Sequence, residues 1–320
     1  METVACDLCG SSRYTAVYEM PDRRYFPDEF FSAVECDRCG LGFVNPRPTF
    51  EEMQKYYPPQ YYQEEFTQDL KYHARRYARE AAYLGEIEKR GGPRSLLDVG
   101  CANGDFPRFM KARGWNVEGV EVSRSSSPID DFKVYTQFFP DIPVDEPRYD
   151  AITAWAVLEH VHTPMAYFKK ASRLLRPGGL FVFLVTNFHS LASRYLFCED
   201  IPRHVYFFTR KTVQRYLEAT GFKMERERNG RDVFSLPPAN WLSFMIKTRI
   251  QRRGFSYQDV PLTRPEFLKR HHLEPGVLST LRFAFHNPVK ALDRALWPVV
   301  QTIEILRKTY GISTYVARKL

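Results

Sequence analysis

Long apolar runs are missing from this 320-residue chain; the longest uninterrupted one, residues 180–185, has six residues. That length reads as a strand, since a membrane-spanning helix needs roughly 20 apolar residues. No basic-then-apolar leader precedes Cys6, so the expected compartment is the cytoplasm. Cysteine is sparse: there are six, four of them in two Cys-x-x-Cys pairs, a usage that fits a reducing compartment. Cys101 and Cys198 stand apart. With 44% hydrophobic and 26% charged residues the composition is that of an ordinary globular chain, and long disordered stretches are not expected. Also missing are the glycines of a dinucleotide turn. Where that turn needs glycine at 100, 102 and 105, this chain has Gly100, Ala102 and Asp105. A carboxylate in a first helical turn suits the helix dipole but repels a phosphate placed there.

What stands in that place is Leu96-Leu97-Asp98-Val99-Gly100-Cys101-Ala102-Asn103-Gly104, an apolar strand running into a glycine-spaced turn, with Glu121 at the end of the next apolar run. In an open α/β fold such a turn sets backbone N–H groups at the carboxyl edge of a parallel sheet, where ligands bind. Glu121 is spaced to take both hydroxyls of a ribose on one carboxylate. A nucleoside ligand without phosphates, such as S-adenosylmethionine, fits these residues. The alternative is a strand-turn-helix whose glycines serve packing alone.

Downstream, Arg148-Tyr149-Asp150-Ala151-Ile152-Thr153-Ala154-Trp155 reads as a strand and leads into Val157-Leu158-Glu159-His160-Val161. Pro164 opens a helix that ends at Leu174-Leu175-Arg176-Pro177-Gly178-Gly179, and a third strand follows over 180–185. In this order the motifs resemble the class I S-adenosylmethionine-dependent methyltransferases, over roughly residues 94–222. The resemblance implies an α/β fold, a Rossmann-like seven-stranded sheet, and a donor site at Asp98, Gly100, Cys101, Ala102, Gly104, Glu121 and Trp155. Ala102 replaces the family's glycine and slightly crowds the methionine end. For adenine either Gln137 or Asp141 is open as a contact. The connection over 123–128 is too short and polar for a full helix.

Cys6-Asp7-Leu8-Cys9-Gly10 and Cys36-Asp37-Arg38-Cys39-Gly40 predict a four-thiolate zinc site, against a redox dithiol or a disulfide framework. So small a module makes a poor hydrophobic core, so metal is expected to supply folding energy. Four protein ligands leave no open position, which makes the site structural. Residues 1–48 carry five Arg against eight Asp or Glu, a balance that does not favour a nucleic-acid backbone. After the knuckle come Leu41-Gly42-Phe43-Val44-Asn45-Pro46-Arg47-Pro48 and then Tyr56, Tyr57, Tyr61 and Tyr62. This arrangement resembles zinc-bearing bacterial methyltransferases, many of which act on sugars or glycan precursors. The tyrosines are expected either to cap the site or to pack ribbon against core.

The chain divides into a zinc ribbon and aromatic linker (1–60), a donor-binding core (61–235) and a basic helical insertion with the last core strand (236–320). Residues 65–89 read as one helix closed by Gly91-Gly92. From 240 to 320 there are 14 Lys or Arg against five Asp or Glu, more than the chain's whole net charge of +8. Within that tail Val289, Leu292, Leu296, Val299, Val300, Ile303 and Leu306 recur at helical spacing, with Pro298 as a kink. The stripe is expected to dock on its own domain; a basic face toward a nucleotide- or lipid-linked pyrophosphate, a membrane surface or RNA is the other reading. Residues 312–319 read as the final strand, making 236–308 an insertion placed to serve as a substrate lid.

The sulfonium donor is a good leaving group, so the residue to find is a base. The stretch Ile201-Pro202-Arg203-His204-Val205-Tyr206-Phe207-Phe208-Thr209 resembles the histidine segment of the sugar C-methyltransferases, which implies His204 as base, with Arg203 standing where they have glutamate. A helix-capping histidine is the bland alternative. His160 is the second candidate. Catalytic Mg²⁺ at Glu159, His160 and His204, by analogy with RNA-end methyltransferases, is not expected, because Ala156 stands where those enzymes have another glutamate. The leading expectation is methylation of carbon or oxygen on a small-molecule or sugar acceptor; an RNA methyltransferase and a non-catalytic scaffold are its competitors.

Overall fold

The amino end folds as antiparallel strands β1 (Tyr14–Pro21), β2 (Phe30–Cys36) and β3 (Gly42–Val44), with Cys36 closing the second. The computed structural model describes residues 1–59, 61, 70–123, 129–231, 233, 240–254, 256–259, 268, 271–279, 282 and 288–320. Tyr62, and residues 124–128 of the predicted short connection, lie outside the described residues.

The expected α/β core is present. Strands β4 (Ser95–Val99), β5 (Asn116–Val120), β6 (Lys133–Tyr135), β7 (Tyr149–Trp155) and β8 (Leu175–Thr186) run parallel. After β9 (Tyr206–Phe207), β10 (Phe222–Asn229) and β11 (Ile312–Lys319) complete a seven-stranded sheet in the order β10-β11-β8-β7-β4-β5-β6, with β11 antiparallel to both its neighbours. The central strands are apolar without alternation because helices cover both faces of a parallel sheet. Edge strand β10, by contrast, is largely open to solvent and carries charges of both signs, which discourages edge-to-edge pairing. β8 is longer than the apolar run that signals it, since Leu175-Arg176-Pro177-Gly178-Gly179 already belongs to the strand.

The ribbon is tied into the core by β9, which pairs with β3 through Phe43↔Tyr206 and Gly42↔Phe207. The single helix expected over 65–89 is two, Leu70–Ala82 and Gly85–Arg90, because the i→i+3 bonds at Tyr83 and Leu84 tighten the chain ahead of Gly85.

The chain forms two compact units. One holds Met1–Asn187, Asp200–Ser235 and Ile312–Leu320; the other holds Phe188–Glu199 and Leu236–Gly311. Within the second unit Ala192 and Leu196 pack with Leu191, Trp241, Phe244 and Trp297. Its helix Pro288–Leu306 departs from expectation: Leu292, Leu296, Val299, Ile303 and Leu306 are exposed, while Asp293, Gln301 and Glu304 are buried. Local hydrogen bonds explain the inward polar face, since Asp293 accepts from the Leu242 amide at 2.7 Å and Gln301 donates to the Tyr310 hydroxyl at 3.1 Å. No helix among the described residues is long and apolar enough to cross a membrane.

Candidate active site and metal centre

Strand β4 ends at Val99, and the chain turns over Gly100 (φ +73°), Ala102 (φ +48°) and Gly104 (φ +78°) into the helix Asp105–Ala112. Glycine at 100 is required twice over: the backbone is left-handed, and a Cβ would stand 2.5 Å from Val157 Cγ2. The turn is thereby pressed against the loop leaving β7. Gly100 and Cys101 amides donate to the Val120 carbonyl at 2.8 and 3.1 Å, which sets Glu121 beside the turn. Glu121 is partly buried, and its two oxygens accept from the Ala102 amide (2.9 Å) and the Ser123 amide (2.7 Å). Each carboxylate oxygen has a second lone pair, so the group is oriented without being used up. These residues fit a ribose diol.

Asp98 is buried beneath the turn. Burial pushes its carboxyl up to about 8, although Thr153 donates to it at 2.6 Å. Cys101 is buried, and desolvation pushes its thiol up as well. Trp155, the last residue of β7, packs edge-on to Phe106 at 5.8 Å and near Tyr83 at 6.1 Å, and its buried Nε1 has no hydrogen-bond partner. An indole N–H without an acceptor is the kind of group a bound ligand satisfies. Gln137 and Asp141 follow β6 and are both exposed.

The structure brings His160 and His204 together, their rings 4.7 Å apart and 77° from parallel. Two backbone bonds make the meeting: the Val205 and Tyr206 amides both donate to the Glu159 carbonyl, at 2.7 and 3.1 Å. His160 Nδ1 lies 3.1 Å from the Arg203 carbonyl and 3.0 Å from the Tyr57 hydroxyl. Burial, then the neighbouring His204, pushes the His160 imidazole down to about 3, so it is neutral at physiological pH. Glu159, His160 and His204 offer ligand atoms within 4.8 Å of one another.

Arg203 does not take the place of an acid in this cluster; it anchors the segment. Fully buried, it forms a forked pair with Asp22 (2.8 and 3.2 Å), bonds Asp200 at 2.7 Å and donates to the Tyr56 carbonyl at 3.1 Å. Burial opposes its charge, but the two carboxylates outweigh that and push the guanidinium up. Of the tyrosines, Tyr56 packs edge-on to Phe26 and Phe31 and donates to Glu29, whereas Tyr57 reaches the histidine pair. The sequence signalled neither Asp22 nor its pairing with a residue 181 positions away.

The four cysteines of the two pairs meet. Cys6 and Cys39 sulfurs stand 3.4 Å apart and Cys9 and Cys36 sulfurs 3.6 Å apart, all as free thiols. Those separations far exceed a disulfide's ~2.05 Å and approach the edge of a tetrahedron with roughly 2.3 Å metal–sulfur bonds. Each pair sits in a matched turn, in which the Gly10 amide donates to the Cys6 carbonyl and the Gly40 amide to the Cys36 carbonyl, both at 2.8 Å. Asp7, within the first turn, accepts from the Met165 amide (2.8 Å) and the Tyr216 hydroxyl (2.7 Å), so the knuckle is riveted to the core.

Residues 69–227 match a family model described as a methyltransferase domain. The chain is 33% identical over 117 residues to the ubiquinone biosynthesis O-methyltransferase of Alkalilimnicola ehrlichii, covering 33% of this chain and 46% of that protein. To the protein of the same name from Bordetella bronchiseptica it is 25% identical over 195 residues, covering 52% and 80%. The chain thus spans about half the length of the first of these relatives. Among solved structures it is similar to the geranyl diphosphate C-methyltransferase of Streptomyces coelicolor, at 15% identity and a TM-score of 0.42, covering 75% of this chain and 79% of that one.

Proposed function

Because residues 69–227 match a methyltransferase-domain model, we propose that the protein is an S-adenosylmethionine-dependent methyltransferase that transfers a methyl group to carbon or oxygen of a small-molecule acceptor, a sugar or glycan precursor, with His204 as base and zinc on its four thiolates. The observation that carries the reading is the junction of two loops. The loop leaving β7 touches the donor turn through Val157 and Gly100, and three residues later it delivers His160 to His204.

S-adenosylmethionine supplies an electrophilic methyl on a sulfonium that leaves as a neutral thioether and needs no acid. Glu121 accepts the ribose hydroxyls on the lone pairs that Ala102 and Ser123 leave open. Trp155, with its unpartnered Nε1, borders the transfer point at the end of β7. His204 takes the acceptor proton as the acceptor atom bonds the methyl. His160, neutral and fixed through the Arg203 carbonyl and Tyr57, adds no competing positive charge beside it. Around the four thiolates, zinc is structural, since no coordination position stays open.

Calorimetry with S-adenosylhomocysteine and turnover with isotopically labelled donor on a panel of nucleotide-sugars test the reading. Wild type binds, Glu121→Ala binds at least about tenfold more weakly, and His204→Ala binds normally without turning over. Absence of binding by wild type sinks the function; turnover by His204→Ala at the wild-type rate removes the base.

A further inference from the structure

The helix Leu70–Ala82 carries a buried acid that the donor motifs do not include. Glu80 has 0% exposure and sits between Tyr77 and Tyr83 in sequence. Tyr77 lies 6.2 Å from Phe106 and from Phe109, on the helix that follows the donor turn, and Tyr83 lies 6.1 Å from Trp155 at the end of β7. Glu80 therefore lies on a helix that packs beside the one following the donor turn. Its Oε1 accepts from Arg76 Nε at 2.7 Å, but its Oε2 is buried with no hydrogen-bond partner.

A buried carboxylate oxygen without a donor is costly, commonly on the order of 1–3 kcal/mol, so its persistence calls for a partner from outside the chain. Arg76 is the cation paired to Glu80, through Oε1 alone. What that oxygen lacks is a hydrogen-bond donor, and an ammonium group offers three. Resting on the donor reading above, we propose that Glu80 Oε2 receives the α-ammonium of the donor's amino-acid end, with Arg76 as the positioning residue that holds the carboxylate in place. With Glu121 on the ribose, the donor would be held by carboxylates on separate elements.

The test compares S-adenosylhomocysteine with its des-amino analogue by calorimetry on the full-length protein. Wild type is expected to prefer S-adenosylhomocysteine by about tenfold or more, and Glu80→Gln to lose that preference while binding the analogue within about twofold of wild type. A wild type without the preference, or a Glu80→Gln variant that keeps it, overturns the proposal; a buried water under Glu80 would give that second result. Circular dichroism checks the fold. If Glu80→Gln is misfolded, Glu80→Asp replaces it, with an expected loss of about threefold in the preference, and an undiminished preference there overturns the proposal. A wild type that binds neither compound fails the donor reading itself, which is a separate outcome.

Discussion

Two clusters of metal-type ligands lie in the same unit of this chain, and they are built differently. The four sulfurs come from two matched turns, each closed by its own amide–carbonyl bond and glycine, so each pair is assembled locally and only the pairing of pairs is long-range. Glu159, His160 and His204 come from one loop and one segment joined by the Val205 and Tyr206 amides on the Glu159 carbonyl, the segment being tied down further by the pairing of β9 with the ribbon and the clamp of Asp22 on Arg203. Ligand number separates their chemistry. Four thiolates satisfy a tetrahedral ion and leave nothing open, whereas two histidines with one acid beside them are suited to handling a proton. The ribbon thus serves the second cluster, contributing Asp22, the Tyr56 carbonyl and Tyr57 to its support.

The largest effect is expected from breaking the first cluster. Cys36→Ser should abolish stoichiometric zinc, read by elemental analysis, and lower the melting temperature by on the order of 10 °C, because metal binding is folding energy for so small a module. If the ribbon supports the histidines, turnover falls with it. Arg203→Met comes next: it leaves Asp22 buried without its cation, at about 3–5 kcal/mol, read from denaturant midpoints, while zinc stoichiometry is retained. His204→Ala separates the clusters most cleanly, with kcat down by about 10²- to 10⁴-fold and neither zinc content nor S-adenosylhomocysteine affinity changed. Equal activity with and without added Mg²⁺ or Mn²⁺ would keep the second cluster a proton-handling one.

A pH series sharpens the contrast. The pKa of His160 falls from the ordinary 6.5 of a histidine to about 3 in the folded protein. The unfolded chain therefore takes up the proton first, and the stability held by neutral His160 is present above about pH 6.5 and lost as pH falls towards 3. His160→Gln should flatten that part of the profile, measured as urea midpoints from neutral pH downward. Tyr57→Phe is the smallest change: removal of one partly buried hydroxyl from His160 should cost about 0.5–1.5 kcal/mol in kcat/KM without altering the zinc site.

Much of the site was legible where the signal is local. The glycine-spaced turn after β4 could be read because its geometry lives within a few residues: Gly100 needs a left-handed backbone, and Glu121 follows the very next strand. The cysteine pairs were readable for the same reason. The final strand over 312–319 was also legible, from apolar pattern and order. Arg203 was misleading, since comparison by position set it where an acid belonged, whereas its guanidinium reaches away to Asp22 and Asp200. Glu80 is one more charge on a helix face by sequence, and only its burial distinguishes it. The helix Pro288–Leu306 shows periodicity failing outright: the spacing identified an apolar stripe but not the side on which it lies.

By itself, then, the order of residues determined the parallel core, the glycine-spaced turn with Glu121 beside it and the presence of four paired thiols, because strand pattern, left-handed glycines and short Cys-x-x-Cys turns are set by neighbours along the chain. Only the tertiary structure decided that His160 meets His204, that Asp22 holds Arg203 from 181 residues away and that Glu80 is buried with a bare oxygen. Those are facts of long-range packing and desolvation, and no local spacing encodes which distant group will share a buried space.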